Sequence, residues 1–184
     1  MSVSLITQII VMAIKKCCSD MSPYVRKAAA LAIPKAYSLD SSLKQELMKL
    51  ISQLLNDNNT MVLGAAVFAF QEVCPDSFEL IHPQYRKLCK YLVDCDEWGQ
   101  VVILNMFLRY TRTQFVSPFR EQAFRKKAFY SDSEEDEWGD NKKDEDSLNP
   151  VTEDLDPDHR LLLDGSRPLL RTRNASVVLA VVSL

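Results

Sequence analysis

Residues 22–31 read SPYVRKAAAL, and residues 59–68 read NTMVLGAAVF. Each stretch starts with a residue that caps helix N-termini and continues into a small, apolar helix. The two starts lie about 37 residues apart, and DEWGQVVIL at 96–104 begins after another such interval. A period of this length made of helices is typical of stacked α-solenoids. The sequence therefore predicts an all-α, HEAT/ARM-like helical-repeat solenoid segment.

The remaining chain supports about eight helices. Apolar residues recur at helical spacing near 1–18, 40–55, 83–93 and 174–184. In the helix that starts at Ser22, with Pro23 at its first position, we expect the buried positions to be Val25, Ala28, Ala29 and Ala32. Pro34 is expected to kink or end that helix.

The chain divides into three parts. Residues 1–114 hold the helical repeats, residues 115–157 form an insert, and residues 158–184 resume the repeat. The insert is Phe-rich and basic at first and then acidic. Residues 131–158 contain thirteen acids and two lysines, a net charge of −11, whereas the other twenty bases and twelve acids leave +8. With few aliphatic residues to bury, most of the insert is expected to be disordered. The last helix lacks a polar cap, which suggests a truncated repeat from a longer protein.

No residue pattern points to catalysis, a cofactor or a metal ion. The chain has no Gly-rich phosphate loop and no nucleophile elbow. Its five cysteines form no Cys-x-x-Cys pair, and neither His82 nor His159 lies near a cysteine cluster in sequence. The apolar run at 3–14 is too short for a membrane span and lacks a basic flank typical of signal peptides. We expect a non-enzymatic protein of a reducing compartment, without cofactors.

The insert carries three candidate functional features. Ser131 and Ser133 each precede an acid by three residues, a pattern that favours acid-directed phosphorylation. The bases that alternate with phenylalanines, Arg120, Arg125, Lys126 and Lys127, are candidates for contact with an anionic membrane, with neutralisation by the acidic run as the alternative. Trp138 lies in a second copy of Asp-Glu-Trp-Gly, a candidate docking motif or a coincidence of composition.

Two residues of the repeats, Arg26 and Trp98, are candidates for structural contacts or for binding. Arg26 is expected to form an inter-repeat ion pair, with Asp20 the nearest acid, although Leu63 and Gln100 at the matching places leave any ladder incomplete. Trp98 is either a packing wedge at a helix start or, with Glu97 and Gln100, part of a binding edge.

Several of these stretches resemble the β subunits of adaptor protein complex 3, within the β-adaptin family. The similarity runs from about residue 9 to residue 184 and includes the acidic insert before Asp156. The stretches that carry it are Ser22–Lys27, Glu72–Asp76, Leu80–Pro83, Tyr85–Cys89, Glu97–Val101, Arg112–Pro118, Asp156–Leu162, Arg173–Ala175 and Val177–Val178. Residues 1–5 and Pro34 depart from the family pattern.

The resemblance implies a curved helical trunk inside a heterotetrameric coat adaptor, with a second large subunit, a medium chain and a small chain. It implies cargo selection at the cytoplasmic face of Golgi and endosomal membranes, directed to lysosomes and related organelles. Nucleic acid is a weaker alternative for the basic, Phe-rich stretch because no recognised motif accompanies it, and we expect no nucleic-acid partner. Two other functions remain open from the residues. One is an import-receptor-like helical repeat that takes basic peptides, and the other is a membrane-active protein working through residues 112–130.

Overall fold

The computed structural model describes residues 2–115 and 156–184. These two ranges contain eight α-helices and no strand, so the all-α prediction is confirmed. The helices are α1 (Ser2–Cys18), α2 (Pro23–Leu39), α3 (Lys44–Leu55), α4 (Thr60–Val73), α5 (Tyr85–Tyr91), α6 (Glu97–Gln114), α7 (Pro157–Ser166) and α8 (Ala175–Val182). A 3₁₀ helix, Arg167–Arg171, links the last two.

The helices form two layers. Helices α2, α4, α6 and α8 pack in sequence order, each on the next, and make the first layer. In the second layer α1 packs on α3 and α5 packs on α7. Because α1 also packs on α2 and α3 on α4, the first two helix pairs stack side by side. This arrangement confirms the predicted solenoid.

Side-chain capping explains where three of the four first-layer helices start. Asn59, Asp96 and Asn174 directly precede α4, α6 and α8, and each side chain accepts a backbone N–H bond from the first turn, at 3.0, 3.2 and 3.0 Å. Such bonds satisfy donors that a helix start leaves unpaired. Ser22 precedes α2 but makes no side-chain cap bond; instead its N–H donates to Asp20 Oδ1 at 2.8 Å.

One core runs between the layers. Its largest fully buried side chains come from both layers, among them Leu47, Leu54, Phe70, Ile103 and Phe107. Helix α4 lies in the middle of the stack and buries nearly its whole circumference, from Val62 to Val67 without a break. A helix with neighbours on three sides has little exposed surface, which is why its sequence is apolar all round.

The buried face of α2 differs from the prediction. Of the four predicted positions Ala29 is buried, whereas Val25 and Ala32 are partly exposed and Ala28 is exposed. The other buried positions are Ala30, Ile33 and Ala36. A run of three alanines fits several helix faces equally well, so the packing of α1 and α4 against α2 selects the face.

Pro34, expected to kink or end α2, lies inside the helix, which continues to Leu39, so the second of these outcomes is wrong. Proline lacks the N–H that would bond to the carbonyl of Ala30. Because Ile33 and Ala36 on either side are fully buried, their packing outweighs that missing bond.

The fifth predicted helix is shorter than expected. The range 83–93 begins with a 3₁₀ turn, His82–Gln84, and another, Phe78–Leu80, precedes it. Helix α5 itself covers Tyr85–Tyr91, and its buried residues are Tyr85, Leu88 and Cys89. Short 3₁₀ pieces are common before α-helices, and apolar periodicity does not distinguish them from a helical turn.

Both ends of the described stack expose apolar side chains. At one end α1 exposes Ile6, Ile9 and Met12, and at the other α8 exposes Leu179 and Val182. Inner helices such as α4 bury the corresponding faces against a neighbouring pair. The end faces are therefore surfaces of the kind that this fold uses for stacking.

Candidate interaction surfaces

The predicted functional residues of the insert lie outside the described residues. They are Arg120, Arg125, Lys126, Lys127, Ser131, Ser133 and Trp138. The membrane, phosphorylation and docking-motif hypotheses for them stay predictions. The repeat residues singled out by the sequence, Arg26, Trp98 and Gln100, are all described.

Arg26 makes the predicted inter-repeat ion pair, but with a different acid. Its Nε and Nη2 donate to the two carboxylate oxygens of Asp57, Nη2 at 3.1 Å, in a bidentate pair. Nη1 donates to the backbone carbonyls of Asp20 and Met21, both at 2.9 Å. One guanidinium thus joins the loop before α2 to the turn before α4. Burial alone would raise the pKa of Asp57, but the bonds from Arg26 and from the Asn59 N–H outweigh it and lower that pKa.

Gln100 repeats the role of Arg26 in another helix pair. Each is the fourth residue of its helix, as is Leu63 in α4. Gln100 Nε2 donates to the carbonyls of Val93 and Cys95, at 3.2 and 3.0 Å, so it too binds the loop that precedes its helix. Its Oε1 is buried without a hydrogen-bond partner. Gln100 therefore holds the loop that precedes α6, which does not favour its assignment to a binding edge.

Trp98 packs on the surface of the first layer. Its ring lies 5.6 Å from the ring of Phe68 in α4, and Lys27 Nζ lies 6.0 Å from its centroid. The same lysine pairs with Asp96 at 3.3 Å, so α2, α4 and α6 meet around this indole. Trp98 remains 43% exposed. These contacts favour the packing-wedge interpretation and leave nearly half of the Trp98 surface exposed to solvent.

The described residues offer no evident chemistry. The five cysteines are free, and burial raises the pKa of Cys18 and Cys74 to about 11 and of Cys89 and Cys95 to about 12. Protonated thiols are poor nucleophiles and poor metal ligands. In residues 2–115 and 156–184 no group of three or more His, Cys, Asp or Glu side chains is placed to hold a metal ion. Across the same ranges no helix combines the length and apolarity that crossing a membrane requires.

Sequence reasoning missed one cluster. Tyr85, Tyr110, Phe115 and His159 stack around the point where the chain leaves α6 and where it enters α7. Burial lowers the pKa of His159 and raises that of Tyr110. Phe115 and His159 are 44 positions apart in the sequence, and no local periodicity relates them.

The family described as Adaptin N terminal region matches residues 1–184. AP-3 complex subunit beta-1 of Canis lupus familiaris is 52% identical over 99% of this chain, and its human counterpart is 51% identical over the same share. AP-3 complex subunit beta of Dictyostelium discoideum is 45% identical over 97% of the chain. This chain spans 16% of the length of the two mammalian proteins and 18% of the Dictyostelium protein.

Proposed function

This chain belongs to the adaptin N-terminal family, and from that premise we propose that it is a non-enzymatic part of a vesicle coat adaptor. Its role would be that of a trunk segment of the β large subunit of a heterotetrameric adaptor of the AP-3 type. There it would scaffold cargo selection in vesicle-mediated transport toward lysosomes and related organelles. The observation that carries the proposal is the 52% identity to an AP-3 β-1 subunit over 99% of the chain.

The fold suits assembly. A two-layer helical stack presents a long wall, and its apolar ends, with Ile9 on α1 and Leu179 on α8, offer surfaces to further helices or subunits. The partners we propose are the second large subunit, the medium chain and the small chain of the complex. The medium chain is proposed to lie against the concave side of the wall.

The insert is proposed to regulate membrane attachment. Arg120, Arg125, Lys126 and Lys127 would attract the anionic cytoplasmic face of Golgi and endosomal membranes, and the acidic residues that follow would compete for those bases. Phosphorylation of Ser131 and Ser133 would add negative charge and strengthen that competition. The protein would then be cytoplasmic and peripheral on coated-vesicle membranes.

A helical repeat of the nuclear-import type is the less favoured alternative. Such proteins are expected to present a regular ladder of Trp and Asn for basic peptides. At the places equivalent to Trp98, one and two repeats earlier, this chain has Met61 and Tyr24. The first layer therefore lacks a tryptophan ladder between residues 24 and 98.

Co-expression tests the proposal. The tagged chain would be produced with the medium and small chains of an AP-3 complex, and separately with the medium chain of a different adaptor complex as the specificity control. We expect the tagged chain to be soluble and to co-purify with the AP-3 medium and small chains, but not with the medium chain of the other complex. Equal recovery with both medium chains, or selective recovery of import cargo peptides, would contradict the proposed function.

A further inference from the structure

The two ends of segment 116–155 meet on helix α5. Phe115, the last described residue before the segment, stacks on His159, with ring centroids 5.1 Å apart and planes 4° from parallel. Tyr85 of α5 lies beside both ends. Its ring is 6.1 Å from Phe115, and its hydroxyl donates to the Asp158 carbonyl at 2.9 Å. The chain therefore leaves and re-enters the fold at one place.

These rings form one continuous group. Tyr85 stacks on Tyr110 of α6 at 5.0 Å, and Tyr110 is 6.1 Å from Phe115. Tyr85 and Tyr110 are buried, whereas Phe115 and His159 are partly buried. We call Tyr85, Tyr110, Phe115 and His159 the aromatic clasp. Stacked and edge-to-face rings add attraction beyond the apolar area that they bury.

Helix α7 docks on α5 through further contacts that involve no residue of segment 116–155. Arg86 Nε pairs with Asp158 Oδ1 at 2.9 Å. At the other end of α7, a Cβ on Gly165 would lie 3.3 Å from the Cys89 carbonyl oxygen, so the two backbones approach closely. Asp156 caps α7 by accepting the Asp158 N–H at 2.8 Å. The capped start of α7, its salt bridge and its backbone contact are all supplied by described residues.

We propose that the aromatic clasp joins the helices that precede segment 116–155 to those that follow it. The docking of α7 and α8 on the rest of the stack then does not depend on that segment. This goes beyond the proposed coat function, because it concerns how the chain holds its own repeats together.

The length of the tether should change how strongly α7 and α8 dock. If residues 116–155 serve as a tether alone, a tether of about eight residues should favour docking by about tenfold over one of forty, because the closure probability falls with roughly the 3/2 power of length. About eight residues can span roughly 25 Å, which is ample for ends joined by stacked rings.

The experiment measures hydrogen exchange in peptides covering residues 157–182 of the 184-residue chain. One variant replaces residues 116–155 with a Gly/Ser linker of about eight residues. A second carries Phe115→Ala in the full chain, and a third combines both changes. Tyr24→Ala is the matched control, because Tyr24 is an aromatic residue that is 69% exposed on α2.

We expect the shortened chain to protect residues 157–182 at least as well as the full chain. Phe115→Ala should speed their exchange by about tenfold in the full chain, and the shortened Phe115→Ala chain should return to about the level of the unmodified one. Loss of protection in the shortened chain, or unchanged exchange in full-length Phe115→Ala, would overturn the proposal. Should Phe115→Ala unfold the whole chain, the shortened chain decides by itself, since it keeps the clasp intact. No adaptor partner enters this measurement, so its outcome is independent of the co-expression test.

Discussion

Gly64 of α4 and Gly99 of α6 bring their two helices together backbone to backbone. A Cβ added at Gly64 would lie 2.9 Å from the Gly99 Cα, closer than side-chain carbons normally approach. A Cβ on Gly99 would in turn lie 3.4 Å from the Gly64 Cα. The spacing of α4 and α6 at this point is therefore set by the absence of a Cβ at both glycines.

Gly64→Ala should destabilise the fold by about 1–2 kcal/mol. Alanine gains up to about 1 kcal/mol of helix propensity over glycine. Here the neighbour is backbone, which cannot rotate away as a side chain could, so overpacking outweighs that gain. The difference is measured by urea unfolding, as the shift in the denaturation midpoint between two chains whose transitions have the same m value.

Gly165→Ala is the control for that substitution. Its Cβ would also meet backbone, the Cys89 carbonyl oxygen, but at 3.3 Å rather than 2.9 Å, so the contact requires a shift of only a few tenths of an ångström. We expect the free energy of unfolding to change by less than about 0.5 kcal/mol, because the propensity gain offsets the contact. If Gly64→Ala were as mild as Gly165→Ala, the close approach of α4 and α6 would not limit stability.

Arg26→Ala should lower the free energy of unfolding by about 2 kcal/mol. The change removes a bidentate pair with Asp57 and two bonds to loop carbonyls, and it leaves the Asp57 carboxylate partly buried. Arg109→Ala is the matched control, because the Arg109–Asp76 pair lies on the exposed surface and should be worth under about 0.5 kcal/mol. Similar losses for both arginines in thermal melts would contradict the structural role of Arg26.

The Arg26–Asp57 pair also predicts a pH dependence. The pKa of Asp57 is lowered in the folded state, so the pair's contribution is complete above the unfolded pKa of about 3.9 and is lost as pH falls through the folded value. The melting temperature of the unmodified chain should therefore exceed that of Asp57→Asn at about pH 7, and the gap should narrow toward about pH 3. A gap that stays constant over this range would show that the carboxylate charge is not what stabilises the turn.

The sequence predicted what local chemistry determines. Asn59, Asp96 and Asn174 cap helices because their side chains reach N–H groups two or three residues away, and that spacing is readable from the chain. The 37-residue interval between repeats likewise follows from composition that recurs along the sequence. Solvent-exposed and buried faces of α3 were also predictable, since Leu47, Leu50, Ile51 and Leu54 form one stripe.

Long-range packing determined what the sequence could not predict. Arg26 has Asp20 nearby in sequence, yet it binds Asp57 across the repeat because the stacking of α2 on α4 brings that carboxylate within reach. The alanines of α2 fit several buried faces equally well, and the packing of α1 and α4 against α2 selects one of them. Phe115 and His159 were assigned to different parts of the chain, and only the docking of α7 on α5 brings their rings together.

The basic part of the insert can be tested by removing its charge. Replacing Arg120, Arg125, Lys126 and Lys127 with glutamine should reduce binding to vesicles containing anionic lipid by about three orders of magnitude, because each base at the surface contributes about 1 kcal/mol. The control is an equal removal of charge at four positions distant from the insert in sequence, Lys15, Lys16, Lys44 and Lys49. Co-sedimentation at two salt concentrations measures the effect, and equal losses in both variants would indicate attraction to net charge rather than to this segment.

Trp98→Ala separates the packing and binding interpretations of this indole. Because the ring packs on Phe68 and lies beside Lys27, its loss should cost about 1–2 kcal/mol, less than the 3–5 kcal/mol typical of a fully buried Trp. Trp98→Phe should recover part of that stability, since a smaller ring can still meet Phe68. Co-purification with adaptor chains should fall in proportion to stability in both variants. If Trp98→Ala melts like the unmodified chain but no longer co-purifies, the exposed part of the indole is a binding surface and the wedge interpretation is wrong.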